Sequence, residues 1–345
     1  MARQPRSYTH IGPQVLAARQ RAKAPASHRV EHAAPEEQSV RRCVGAMIWS
    51  SLELYDGGMA GSARDRELSR QIQSNRNSHR HLGRYSEHRR RLTELVLTRC
   101  AAGSGGRLCV LGAGNCQDLE LEQLAAHFGE LHLVDLDPEA LLNARARQSA
   151  ATRERLTLHA GIELSQMLDQ MDLYRSLRVA PEAIAEHPSS AALAVAQKLG
   201  TGFDCVLSAC VLSQMQHALL TELGDSHRLF PALSYTLTLT HLRTLAALTR
   251  PGGHAILATD AATEQMAPLA RLGSDVDWLD LLRSLAVSGD LFTSLNPLLL
   301  SQMLLDDPVL AKDVNVRPIT DAWLWQNSEQ RLYLVYALLF EPKTQ

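Results

Sequence analysis

The sequence predicts an α/β fold, an open, doubly wound, mostly parallel sheet of seven strands closed at one edge by an antiparallel hairpin. Two observations predict it. Five short apolar runs, RLCVLGAG (107–114), LHLVDLDP (131–138), RLTLHAG (155–161), FDCVLSA (203–209) and GGHAILATD (252–260), alternate with amphipathic helical stretches such as 119–128 and 138–148. Short buried strands separated by helices make βαβ units. The C-terminal runs AWLW and RLYLVYALLF instead flank a polar turn, Gln326 to Gln330, which is the pattern of a hairpin.

Before the first strand, residues 1–43 are rich in Ala, Arg, Gln and Pro without periodicity and are expected to be a flexible basic tail. Residues 44–102 read as a helical cap. It has one helix from Val44 to Tyr55 and one or two more over 64–99, where Leu82, Tyr85, Leu92, Leu95 and Val96 share a face. The main domain spans 103–345. The interval between the third and fourth strands needs an extra helix, placed at 180–199. Residues 263–320 read as a helical insert, and 321–341 as the closing hairpin.

Composition narrows the function. Apolar residues make up 45% and charged residues 21%, so neither a disordered chain nor a disulfide scaffold is expected. No window approaches the roughly 18 apolar residues that a membrane helix needs. Residues 1–100 hold 18 Lys and Arg against 9 Asp and Glu, while the remainder hold 17 against 28. Such a basic front half suits either an anionic partner such as RNA or packing against the acidic remainder. The cysteines Cys43, Cys100, Cys109, Cys116, Cys205 and Cys210 form no CxxC pair, which predicts free buried thiols and a reducing, cytoplasmic setting. Residues 1–30, Arg-rich and without an acid, also loosely fit an organellar targeting segment; a basic tail is the preferred reading.

The most informative segment is VLGAGNCQDLEL, Val110 to Leu121. A strand running into Gly112-Ala113-Gly114 permits a sharp bend and close backbone approach. The next strand ends at Asp135, where a carboxylate can accept hydrogen bonds from two ribose hydroxyls. Together they specify a nucleoside-bearing cofactor. A dinucleotide loop would need a small residue at 117, and Gln117 stands there. S-adenosylmethionine carries adenosine without phosphate, so it is favoured over a nicotinamide cofactor.

This segment resembles the first motif of the class I S-adenosylmethionine-dependent methyltransferases, whose fold is Rossmann-like. LHLVDLDPEAL (131–141) is similar to their second motif, FDCVLSACVLSQM (203–215) to their fourth-strand motif, and LRTLAALTRPGGHAILATD (242–260) to their helix, turn and fifth strand. The resemblance implies that Gly112, Ala113, Gly114 and Asn115 lie along the methionine part of the cofactor. It implies that Asp135 holds the ribose, that Leu136 lines the adenine with Ile162 nearby, and that Ser208, Ala209 and Cys210 end the fourth strand beside the methyl group. The sequence departs from the family pattern in having Val110 where an acid is usual, Cys116 for the third glycine and Ile162 for an acid, with Glu163 adjacent.

Methyl transfer needs positioning more than a catalytic triad, so the absence of GxSxG, HExxH and P-loop motifs does not count against it. His81, Tyr85 and His88 share a helix face with Leu92 and are either substrate contacts or packing residues. His217, after the fourth strand, is the candidate base. His79 and His81 lack the neighbouring ligands of a metal site, and no metal is expected. LFTSLNP (291–297) with Trp278, Trp323 and Trp325 is either a pocket wall or core. The expected activity is methyl transfer to a small-molecule nucleophile. The alternatives are an RNA methyltransferase using the basic front half and a catalytically silent scaffold.

Overall fold

The computed structural model describes residues 61–78, 83–100, 105–272, 276–329 and 331–344. The tail at 1–43, the helix expected at 44–55 and the residues His79 and His81 lie outside them.

The first described helix, α1 (Ala63–Ser78), is polar almost all round. Helix α2 (Ser86–Arg99) buries His88, Leu92, Thr93, Leu95 and Val96. The sheet then begins with β1 (Arg107–Leu111), α3 (Leu121–His127), β2 (Glu130–Asp135), α4 (Pro138–Ala146), α5 (Ala150–Arg155) and β3 (Leu156–Ala160). A short helix α6 (Met171–Arg175) and the long α7 (Pro181–Leu199) fill the interval before β4 (Phe203–Ala209). Helices α8 (Val211–Leu223) and α9 (Phe230–Leu248) lead into β5 (Thr249–Thr263). The chain closes with α10 (Trp278–Ser288), α11 (Pro297–Asp306), α12 (Leu310–Asp313), β6 (Val314–Val316), β7 (Ala322–Ser328) and β8 (Arg331–Pro342).

The strand order is β3-β2-β1-β4-β5-β8, with β6 and β7 both paired to the outer side of β8. The first five strands are parallel and β8 runs antiparallel to β5. Among the described residues the sheet therefore has eight strands, where seven were expected. The addition is Val314-Asn315-Val316, which pairs with Val316↔Phe340 through Val314↔Pro342, where β7 no longer covers β8. Three residues are too few for an alternation signal, which is why this strand was hidden in the insert.

Each face of the sheet buries its own apolar cluster. One gathers Leu111, Val206, Leu212, Leu242 and Leu257 under α7, α8 and α9. The other gathers Leu92, Val96, Leu108, Leu207, Ile256, Trp323 and Trp325 under α2 and α3. Neighbouring parallel strands are hydrophobic throughout because both faces are covered. Strand order reverses between β1 and β4, so a crevice opens at their carboxyl ends. No helix among the described residues is long and apolar enough to cross a membrane.

Candidate functional site

The crevice is built from the glycine loop upward. Gly112 and Ala113 both donate their N–H to the Val134 carbonyl at 3.0 Å, which pins the bend after β1 to the end of β2. Gly112 has φ +72° and Gly114 φ +48°, left-handed values that favour glycine. Their missing Cβ atoms also serve packing. A Cβ on Gly112 would stand 2.4 Å from the Val211 Cβ, and one on Gly114 would stand 3.2 Å from the Asn75 Oδ1. The bareness of Gly112 thus lets the start of α8 press against the loop, where the sequence suggested room for ligand alone. Cys116, in the place of the third glycine, keeps the left-handed conformation with φ +49°, so the loop retains its shape at a cost of about 1 kcal/mol.

Asp135 is the centre of the site. Its Oδ2 accepts from the Gly114 N–H at 2.7 Å and its Oδ1 from the Asp137 N–H at 2.8 Å. Each oxygen keeps acceptor capacity. The residue is 5% exposed, and burial pushes its pKa up to about 6, opposed by those two backbone bonds. Asp137 in turn caps α4, accepting from Glu139 and Ala140 N–H, so the turn after β2 is rigid.

A cavity opens from this carboxylate. Gly112, Asp135, Leu136, Ile162 and Val211 line it near the sheet. Met167, Leu168, Met171, Met215, Leu219 and Leu237 make its apolar depth, and Glu67 and Gln71 of α1 form the facing wall. Glu163 also lines it; this buried carboxylate is tied to the Ser165 N–H at 2.7 Å and Oγ at 2.6 Å, and burial still pushes its pKa up. A buried acceptor pair at the edge of an apolar slot fits a nucleoside, with hydroxyls on the carboxylate and a flat base in the slot.

A phosphate fits less well. The helix after the loop begins only at Leu121, is seven residues long and has no side-chain cap at Glu120. Asp118 stands between. Burial pushes its pKa up to about 7, and it interacts with Asp135, Tyr85, Cys116 and Cys210. An added anion here would raise the cost of ionising this carboxyl further, against the nearby Arg89 guanidinium that favours its charge.

Of the expected cofactor residues, Gly112, Asp135, Leu136 and Ile162 line the cavity. Ala113, Gly114 and Asn115 shape the loop; Asn115 donates to the Asn75 carbonyl at 2.8 Å and so ties the loop to α1. Ser208 is not among the cavity-lining residues and meets α9 instead. Its Oγ lies 2.7 Å from the His241 Nε2, and it is fully buried. Ala209 is buried, and Cys210 turns left-handed, φ +51°, to start α8.

The helix-face residues are placed elsewhere. His88 is 1% exposed, stacks on Trp325 at 4.2 Å and accepts from the Trp323 Nε1 at 3.0 Å. Burial pushes its pKa down to about 3. Tyr85 meets Trp325 edge-on at 5.5 Å and donates to the Asn327 Oδ1 at 3.2 Å. Both dock α2 on the hairpin, the packing alternative of the two, and neither lines the cavity. Trp323 and Trp325 belong to the same buried layer. His217 is half-buried on α8 among residues whose neighbours line the cavity. Burial, with the guanidiniums of Arg70 and Arg331, pushes its pKa down to about 4, so it is neutral at pH 7 and a weak base. Among the described residues no group of three His, Cys, Asp or Glu side chains is arranged to hold a metal.

Glu67, Gln71, Val211 and Met215 are cavity residues that the sequence reading did not single out, and Glu163 entered it only as the neighbour of Ile162. An i, i+4 pair of Glu67 and Gln71 on a polar helix looks like a solvated face. Only the fold shows Glu67 to be buried.

The fold and the crevice together define a Rossmann-like, doubly wound α/β domain. Its similarity to solved structures is distant. TrmN from Thermus thermophilus is 14% identical over 76% of this chain and 52% of its own, with a TM-score of 0.37, so the chain spans about half the length of that protein. A rRNA methylase from Streptococcus thermophilus is 10% identical over 71% and 90%, with a TM-score of 0.34. A putative methyltransferase in complex with the Haloferax volcanii Trm112 methyltransferase activator is 12% identical over 83% and 100%, with a TM-score of 0.40. No protein-family model and no curated protein matches the sequence. The chemistry is argued from the crevice itself.

Proposed function

We propose that this chain is an S-adenosylmethionine-dependent methyltransferase acting on a small-molecule nucleophile. One observation carries the reading. Asp135 is a buried carboxylate with acceptor capacity left on both oxygens, set where the glycine loop meets an apolar cavity at the strand-order reversal. In this reading Asp135 holds the ribose, Leu136 and Ile162 flank the base, and Met167, Met171 and Met215 fill its edge.

The bound cofactor would supply an activated methyl group on a positively charged sulfur. The protein's part is then to orient and to exclude water. Val211 and the start of α8 fix the depth of the crevice, and α1 roofs it. Asp118 stands near the loop as a buried carboxyl whose charge burial disfavours, its pKa pushed up to about 7, and a cationic cofactor beside it would favour its ionised form.

The RNA alternative loses its main support in the described residues. Arg66 and Arg70 bind Glu222, Arg76 binds Glu139, Arg89 binds Glu120, and Arg90 and Arg91 bind Glu87. Arg66, Arg70 and Arg89 are partly buried in these pairs, whereas Arg76, Arg90 and Arg91 pair at the surface. Incubation with S-adenosylmethionine carrying a labelled methyl group tests the acceptor. Label should appear in a metabolite extract and not in purified tRNA or rRNA; label in RNA, lost at high salt, would overturn the small-molecule assignment.

A further inference from the structure

Helix α1 is held to the crevice in an unusual way. Only Ala63 and Glu67 of its sixteen residues are buried, so apolar packing contributes little to its position. Polar bonds do the work at both ends. Toward the far end of the crevice, Arg64 donates to the Gly161 carbonyl at 2.6 Å. Toward the glycine loop, Asn75 donates to the Asp137 Oδ2 at 2.9 Å and Arg76 pairs with Glu139 at 2.7 Å.

Between them stands Glu222, near the end of α8. Its side chain is 3% exposed, and its carboxylate receives Arg66 at 2.5 Å and Arg70 at 2.7 Å. Arg175 grips the same carboxylate from α6. Although burial opposes it, the bonds from Arg66 and Arg70 hold this carboxyl below its ordinary range. The consequence reaches the cavity through Arg70. Its Nε donates to the Glu67 Oε2 at 2.9 Å, and Gln71 donates to the Glu67 Oε1 at 3.1 Å. Glu67 and Gln71 are the two α1 residues that line the cavity with Asp135.

We propose that Glu222 is a positioning residue: through Arg66 and Arg70 it latches α1 over the crevice, so that Glu67 and Gln71 complete the nucleoside pocket and release of the bound nucleoside waits on breaking that latch. This rests on the proposed use of an adenosyl cofactor. Glu222 touches no ligand itself. Because Arg66 and Arg70 are about a quarter exposed, salt screens the latch in part, and dissociation of ligand from the wild-type protein speeds up with ionic strength.

The test uses the full chain and S-adenosylhomocysteine as probe, with dissociation followed by stopped flow at low and high salt and the melting temperature of the ligand-free protein recorded alongside. Glu222→Gln should release the probe faster by about tenfold or more at low salt, with a rate nearly independent of salt; Arg66→Met, which leaves Arg70 on Glu222, should release it faster by a smaller factor and keep part of the salt dependence. Arg66→Met keeps Arg70 and Arg175 on Glu222, so it separates the latch from folding. Equal release rates in the wild type and in a folded Arg66→Met variant, or a wild-type rate that ignores salt, would overturn the latch while leaving the cofactor assignment standing. Failure of the wild type to bind the probe at all would instead remove the cofactor assignment and the latch with it.

Discussion

At the scale of single residues, Asp135, Gly112 and Asp118 carry distinct and separable burdens. Asp135 is expected to bind ligand hydroxyls only as a carboxylate. Affinity for S-adenosylhomocysteine should therefore fall as pH drops through about 6, the value to which burial raises this group; titration calorimetry between pH 5 and 8 checks it. Gly112→Ala would drive a Cβ into Val211 at 2.4 Å in a left-handed backbone, at a cost of about 2–4 kcal/mol. Gly114→Ala meets only the tip of Asn75 at 3.2 Å and should cost about 1 kcal/mol; chemical denaturation ranks the two. Asp118 has its folded pKa raised to about 7 from an ordinary 3.8. Protonation thus favours the fold, an advantage complete below about 4 and lost above about 7. Asp118→Asn should raise the melting temperature at pH 8 by a few degrees, and the gap should close as pH falls toward 4. The glycine loop and Asp135 were legible in the sequence because a strand, a bend and an acid at fixed spacing have a local cause. The side Ser208 faces was not. It depends on which helix covers that side of β4, and His241 lies 33 residues away.

At the scale of elements, the parallel strands and the hairpin could be read because apolar runs bounded by Gly, Pro and acids report burial directly. Helix α1 could not be read as a wall of the site. Its bonds run to Glu222, more than 150 residues on, and a polar helix has no apolar stripe to betray its partner. For α2 the face shared by Tyr85, His88 and Leu92 was visible, but not that Trp323 and Trp325 would be what it meets. The Trp323 indole donates to His88 inside a dry layer. His88→Leu should leave that N–H unsatisfied and cost about 1–3 kcal/mol of stability. Turnover should fall only as far as the folded fraction does. A large loss of kcat in a variant that stays fully folded would return His88 to the reacting centre.

At the scale of the whole molecule, the strand-order reversal at β1 and β4 places every cavity residue at one end of the sheet. Arginines of α1 and α2 pair there with Glu222 of α8, Glu139 of α4 and Glu120 of the glycine loop. Among the described residues, Arg66, Arg70, Arg76 and Arg89 thus tie α1 and α2 to the rest of the domain. The central claim is that this end of the sheet holds an adenosyl ligand by its ribose and base, without phosphate. Isothermal titration of S-adenosylhomocysteine and of NAD into the wild type and Asp135→Ala tests it most directly. The account predicts one-to-one binding of S-adenosylhomocysteine, weakened about a hundredfold or more by Asp135→Ala, and no binding of NAD. Binding of NAD, or affinity for S-adenosylhomocysteine that survives the loss of Asp135, would contradict it.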